Sequence, residues 1–186
     1  HLAQGTVPDG LEGFQRLGRV HQVLQVSVKD ARLFDRAQHP QRFLAERQGR
    51  PVRLPTEEEW YRLLDVSGIK DQPDWDGEPG NINLAEVASS TPVTDHLHAG
   101  FGDIMGNVWQ HTETPITGFP GFAVHELYDD FSTPTFDTKH NLIKGGSWIS
   151  TGNEATRDSR YAFRRHFYQH AGFRYIETDA PVVVRE

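Results

Sequence analysis

Four arginines crowd one short stretch of this sequence: Arg157, Arg160, Arg164 and Arg165. A guanidinium offers its N–H groups as a planar fork that meets a carboxylate at two points, so the cluster suits recognition of amino-acid carboxylates. The alternative is structural pairing with the nearby acids Asp129, Asp130, Asp158 and Glu154. If the segment is a strand, Arg165 alternates with Phe163 and Phe167, and Arg164 faces the other way, so the four cannot all line one pocket. His166 and His170 are spaced i, i+4, as a helical metal pair would be. They stand among Phe163, Phe167, Tyr168 and Phe173, which read as core or pocket wall. His96 and His98 share a loop with Asp95, but ten histidines in 186 residues make such neighbours common by chance. Neither pair reads as a metal site. Asp129-Asp130 is discounted as an acid/base pair, because adjacent strand residues point apart.

Other chemistry is excluded by composition. There is no cysteine. That removes a disulfide framework, a thiolate zinc site, an iron–sulfur cluster and a cysteine nucleophile. Nineteen Lys+Arg against 26 Asp+Glu give a net charge of -7, a poor balance for nucleic-acid phosphates. No apolar run approaches the ~18 residues of a membrane span, and no signal or lipidation motif is visible. The expected location is cytoplasmic. The 11 Phe, 5 Tyr and 4 Trp supply apolar mass for a folded core, and 17 Gly with 11 Pro point to many loops. The length suits one domain with or without an arm.

The elements that must hold these groups can be read along the chain. Residues 1–49 form an arm with a strand near 23–28 and a helical segment over 29–49, broken at Pro40. Residues 50–186 form the main domain. Within it, Thr56-Glu57-Glu58-Glu59 is a capping box: Thr56 accepts from the Glu59 N–H and Glu59 reaches back to the Thr56 N–H. Trp60, Leu63 and Leu64 follow on one helical face, over 57–66, and Gly68 ends it. From 69 to 140 glycines and prolines break the chain into loops, which in a compact domain are usually functional or held by bound ions. Strands are expected at 107–112, 141–149 and 172–176, with Trp109 and Trp148 buried. The order is that of an α+β fold.

Four segments occur in a telling order. They are Arg53-Leu54-Pro55-Thr56-Glu57-Glu58-Glu59-Trp60, Gly106-Asn107-Val108-Trp109-Gln110-His111-Thr112-Glu113, Lys144-Gly145-Gly146-Ser147-Trp148 and Ala171-Gly172-Phe173-Arg174. Together they resemble the formylglycine-generating-enzyme-like domain, a loop-rich variant of the C-type lectin fold. Gly80-Asn81-Ile82-Asn83-Leu84, the run from Thr112 to Phe122, Tyr128-Asp129-Asp130-Phe131-Ser132 and the run from Gly152 to Tyr175 narrow the match. These resemble the 5-histidylcysteine sulfoxide synthase of ovothiol biosynthesis, the sister of the ergothioneine sulfoxide synthases. The resemblance covers about residues 50–181.

The resemblance implies a non-haem Fe(II) enzyme that uses O2 to couple cysteine sulfur to the histidine imidazole. It implies a DinB-like helical domain that carries the iron ligands on an H-x-x-x-H-x-E motif. That motif is absent here, so no iron ligand is assigned in this chain, which reads either as a fragment that is inactive alone or as a degenerate relative. It departs from the family before Arg50, where an aromatic-rich helix is usual. The resemblance makes Tyr128 the catalytic proton donor; a phenol is protonated at neutral pH and suits that task. It gives the arginine cluster to the carboxylates of cysteine and histidine. It also places Asn81 and Asn107 where similar domains hold Ca2+, a hard ion suited to oxygen ligands. A competing reading is a non-catalytic ligand-binding module of lectin-like fold. Ile149-Ser150-Thr151-Gly152-Asn153-Glu154 after the Gly-Gly-Ser-Trp segment resembles the synthase more than a hypervariable patch. A formylglycine-generating oxidase would need paired cysteines for copper and is excluded.

Overall fold

The computed structural model describes residues 19–24, 49, 51–72, 79–127, 133–164 and 170–177. Local chemistry sets the one α-helix among the described residues. In α1 (Glu57–Ser67) the Glu59 N–H donates to Thr56 Oγ1 at 3.3 Å and the Thr56 N–H donates to Glu59 Oε2 at 2.9 Å. The expected capping box is therefore formed. Arg53 adds a clamp from outside, with two guanidinium nitrogens each 2.6 Å from the Glu59 carboxylate. Gly68 ends the helix in the left-handed region (φ 74°), which glycine enters without the steric penalty of a side chain. Trp60, Leu63 and Leu64 are fully buried and pack with Phe101, Ile104 and Met105. One apolar helical stripe thus covers a core supplied mostly by loops.

The strands form a mixed sheet. They are β1 (Arg19–Leu24), β2 (Val52–Arg53), β5 (Trp109–Pro115), β6 (His140–Lys144), β7 (Tyr161–Arg164) and β8 (Ala171–Glu177), in the order β1-β8-β5-β6-β7, with β2 also on β8. Among the described strands only the β5–β8 pairing is parallel; its register sets Trp109 against Ala171 and His111 against Phe173. A separate two-stranded sheet joins β3 (Leu97–His98) to β4 (Phe101–Gly102). Short 3₁₀ turns lie at Thr133–Thr135 and Gly152–Ala155. Among the described residues no helix is long and apolar enough to cross a membrane.

Two expectations need correcting. The strand expected over 141–149 stops at Lys144, because Gly145 (φ 91°) and Gly146 (φ 74°) turn the chain. A Cβ on Gly145 would lie 2.6 Å from Gln110 Nε2 and 2.7 Å from the Ile104 carbonyl, so no larger residue fits there. Trp148 therefore sits in a loop beyond the sheet and is half-buried, not buried. Its ring meets the His170 ring edge-on, 4.6 Å between centroids. Trp109, on β5, is buried as expected. The strand of the arm is described at Arg19–Leu24. The helical segment expected over 29–49 lies outside the described residues apart from Gly49.

Thr56→Ala removes one side-chain cap. It should destabilise the protein by about 0.5–2 kcal/mol in urea unfolding, with the loss confined to a lower midpoint and no change of slope.

Candidate functional site

A carboxylate at the start of α1 gathers the polar groups of this face. The Glu57 N–H donates to Thr114 Oγ1 of β5, which fixes its backbone. Its Oε1 accepts from the Tyr61 hydroxyl and from Arg160 Nε, both at 3.0 Å, and its Oε2 accepts from Arg160 Nη2 at 3.0 Å. Lys144 enters from the end of β6, fully buried, with Nζ 3.6 Å from Glu57 Oε1. The same ammonium donates to the carbonyls of Ser159 (2.6 Å) and Arg157 (2.8 Å) and to the Tyr61 hydroxyl (3.2 Å). It also lies over the Tyr61 and Trp60 rings, at 4.5 and 5.0 Å from their centroids. Burial pulls its pKa down to about 8, against the pull of Glu57. Burial and Glu57 together push the Tyr61 phenol well above its usual value. Two cations from outside the helix and one phenol of its own are thus gathered by one carboxylate.

A second polar centre ties the loops together. Asn107 adopts φ 64° and its N–H donates to the Asn81 carbonyl at 2.6 Å, while the Trp148 N–H donates to the Asn107 carbonyl at 3.1 Å. Its side-chain amide donates to Asp103 Oδ2 (2.7 Å) and the Thr91 carbonyl (3.0 Å), and accepts from the Thr91 N–H (2.8 Å). Burial pushes the Asp103 carboxyl up to about 6. The fully buried Arg174 donates to the Gly102 carbonyl at 2.7 Å and to Gln110 Oε1 at 3.2 Å. Gln110 in turn donates to the carbonyls of Asp103 and Ile104. Close backbone approach is part of this design: a Cβ on Gly80 would overlap the Met105 carbonyl.

These contacts locate the residues singled out from the sequence. Arg160 holds Glu57 and the Thr117 carbonyl; Arg157 pairs with Asp65 and Asp71; exposed Arg164 lies 3.5 Å from Asp137. Each of the three described arginines thus has its own carboxylate, and none of those carboxylates belongs to the acids named from the sequence. Tyr128 and Arg165 lie outside the described residues, as do His166, Asp129 and Asp130. Asn107 is engaged at both ends of its amide. Asn81 donates to the Ser89 carbonyl, and its Oδ1 has no partner among the described residues. Among the described residues no group of three His, Asp or Glu could hold a metal ion, so they do not fit an iron centre. The sequence reading passed over Lys144, Arg174 and Asp103. A signal was present: each is an ionisable residue inside or beside an otherwise apolar or glycine-bearing motif.

The fold is shared with solved structures. The chain resembles Treponema denticola variable protein 1 at 21% identity and a TM-score of 0.51, over 68% of this chain and 47% of that one. It resembles PvdO from Pseudomonas aeruginosa at 16% identity and a TM-score of 0.50, over 77% and 59%. These likenesses define a loop-rich α+β fold around a mixed sheet. No protein-family model matches the chain. Curated relatives are more specific. Ergothioneine biosynthesis protein 1 of Schizosaccharomyces pombe is 33% identical over 135 residues, 70% of this chain and 16% of that protein. Hercynine oxygenase of Mycobacterium tuberculosis is 29% identical over 134 residues, 65% of this chain and 31% of that protein. The chain thus spans less than a third of either relative. The similarity bears out the resemblance carried by the four motifs, to the formylglycine-generating-enzyme-like domain of the ovothiol and ergothioneine sulfoxide synthases.

Glu57→Gln keeps the shape and removes the counter-charge of Lys144 and Arg160. Because it breaks a buried pair and leaves a cation uncompensated, it should cost ~3–5 kcal/mol in urea unfolding. Glu58→Gln, one residue on and exposed, should stay within roughly 0.5 kcal/mol of the parent.

Proposed function

We propose that this chain is the lectin-like half of a non-haem iron, O2-dependent sulfoxide synthase that joins cysteine sulfur to the histidine imidazole, as in ovothiol biosynthesis. The observation that carries the reading is the similarity to ergothioneine biosynthesis protein 1 and hercynine oxygenase over about two thirds of the chain. The intervening stretches that resemble the ovothiol enzyme favour that branch. In this reading residues 50–186 are the lectin-like domain, the enzyme is cytoplasmic, and the iron is held by a DinB-like helical domain outside this chain. Iron supplies the oxygen chemistry when bound. The share of this chain is to position substrates and to hold a proton.

Two of the sequence assignments remain part of the proposal. Tyr128 supplies a proton from its phenol, and Arg165 is the arginine left to meet a substrate carboxylate. Arg157, Arg160 and Arg164 are already held by carboxylates of the protein, so their part is to position the loops around the site. Calcium at Asn81 and Asn107 rests on the resemblance alone. A non-catalytic ligand-binding module is the competing outcome of the test.

The test is a product assay on two polypeptides. The 186-residue chain with Fe(II), cysteine and histidine under air should give no coupled product above a protein-free blank. A polypeptide that includes the helical domain should give cysteinyl-histidine sulfoxide. In that polypeptide Tyr128→Phe should slow sulfoxide formation by roughly 10²–10⁴, the loss expected for a general acid, or divert cysteine to its sulfinic acid. An unchanged rate with an unchanged product ratio would remove Tyr128 from catalysis. Turnover by the chain alone would mean that its own residues hold the iron.

A further inference from the structure

The connection from β5 to β6 carries a segment that the core does not hold. Residues 117–127 are exposed throughout, so no buried side chain of their own anchors them. The segment is nevertheless shaped. The Phe122 N–H donates to the Phe119 carbonyl at 2.8 Å, and Gly118 leaves room for the Phe122 ring, which a Cβ there would meet at 2.7 Å. Gly121 turns the chain in the left-handed region at φ 84°. On the far side the Phe122 ring meets Phe136 edge-on at 5.7 Å, within the same connection. A loop packed by its own side chains moves as a piece and does not fray residue by residue.

Arg160 ties this segment to the body of the domain. Nε and Nη2 of its guanidinium hold the two oxygens of the Glu57 carboxylate, each at 3.0 Å, so the group is anchored at the start of α1. The remaining nitrogen, Nη1, donates to the Thr117 carbonyl at 3.1 Å, and the Phe119 ring covers the guanidinium at 4.2 Å. These last two contacts lie at the surface, with Phe119 61% exposed. A hydrogen bond and a cation–π contact in that setting are each weak, whereas the pairing with buried Glu57 beneath them is costly to break. The tie to the segment therefore gives way before the tie to the helix.

We infer that residues 117–127 form a strap, fastened by Arg160 over the Glu57–Arg160 pair, that releases as a unit while α1 and the sheet stay folded. The near hinge follows Ile116, whose N–H donates to the His140 carbonyl at 3.0 Å and ties the start of the connection to β6. Release uncovers the guanidinium face and frees Nη1 without unseating the guanidinium, because Glu57 keeps its hold. Arg160 is the latch and Phe119 its cover. Segments that open to admit a ligand or partner are drawn from the low-stability end of a fold. The device belongs to the fold, whatever reaction the whole protein carries out.

Native-state proteolysis of the 186-residue chain tests this. Chymotrypsin can cut after Phe122 but not after Phe119, which Pro120 follows. Cleavage of the Phe122–Ala123 bond tracks the population of the released strap when release and closure are fast. Its rate should stay nearly flat in low urea, with a slope far below that of global unfolding. Arg160→Lys should raise the rate about tenfold and Phe119→Leu about threefold, the latter with an unchanged urea midpoint because Phe119 is exposed. Arg157→Lys, three positions away and paired with Asp65, is the control and should leave the rate alone. A rate that rises with urea as steeply as global unfolding would overturn the strap, since the segment would then open only with the fold. An unchanged rate in both Arg160→Lys and Phe119→Leu would overturn the latch. Should Arg160→Lys unfold the chain, Phe119→Leu decides alone, because it leaves Glu57 and its cations in place.

Discussion

A charge taken out of water must meet its opposite, and here one carboxylate meets that demand for three elements. Glu57 opens α1, Lys144 closes β6 and Arg160 precedes β7; their groups converge within 3.0–3.6 Å. Any displacement of the helix along the sheet would strand a buried cation, at a cost larger than that of most single contacts. The helix, the sheet and the loop that carries Phe119 are thus fixed relative to each other by electrostatics as much as by apolar packing. Lys144 adds a directional lock, since its three donors each find an acceptor on a different residue.

The loops obey a different constraint. Few regular elements lie between α1 and β5, so their backbone groups must find partners one by one. Asn107 and its neighbours meet that need by joining three sequence motifs: the Asn81 carbonyl, the Asn107 peptide and the Trp148 peptide form a chain of hydrogen bonds. Gly80, Gly106 and Gly145 allow the approach. The residues that look like a signature in the sequence are largely those needed for this joining.

This explains what could and could not be read from the sequence. The capping box and the Trp60–Leu63–Leu64 stripe are local in the chain, and both are present as read. The strand ending was misjudged because the glycine turn depends on how close Gln110 and Ile104 come, which no local pattern encodes. The arginines show the same limit more sharply. Their chemistry as carboxylate binders was legible, but the carboxylates they bind are 92 and 103 positions away for Arg157 and Arg160. A cluster in sequence became three separate pairings in space.

The sheet topology has a consequence for how the chain is made. β8 touches β1, β2 and β5, yet it is the last strand described along the chain. Until it leaves the ribosome, β1 and β2 have no partner in this sheet and β5 lacks one side. The nascent chain can therefore assemble β5 with β6 and β7 early, but it carries an incomplete sheet until β8 emerges. Such long-range pairing is slow, and exposed strand edges invite aggregation. A stop codon or proteolytic cut shortly before Ala171 would take away the one strand that joins β1 and β2 to β5 among the described strands.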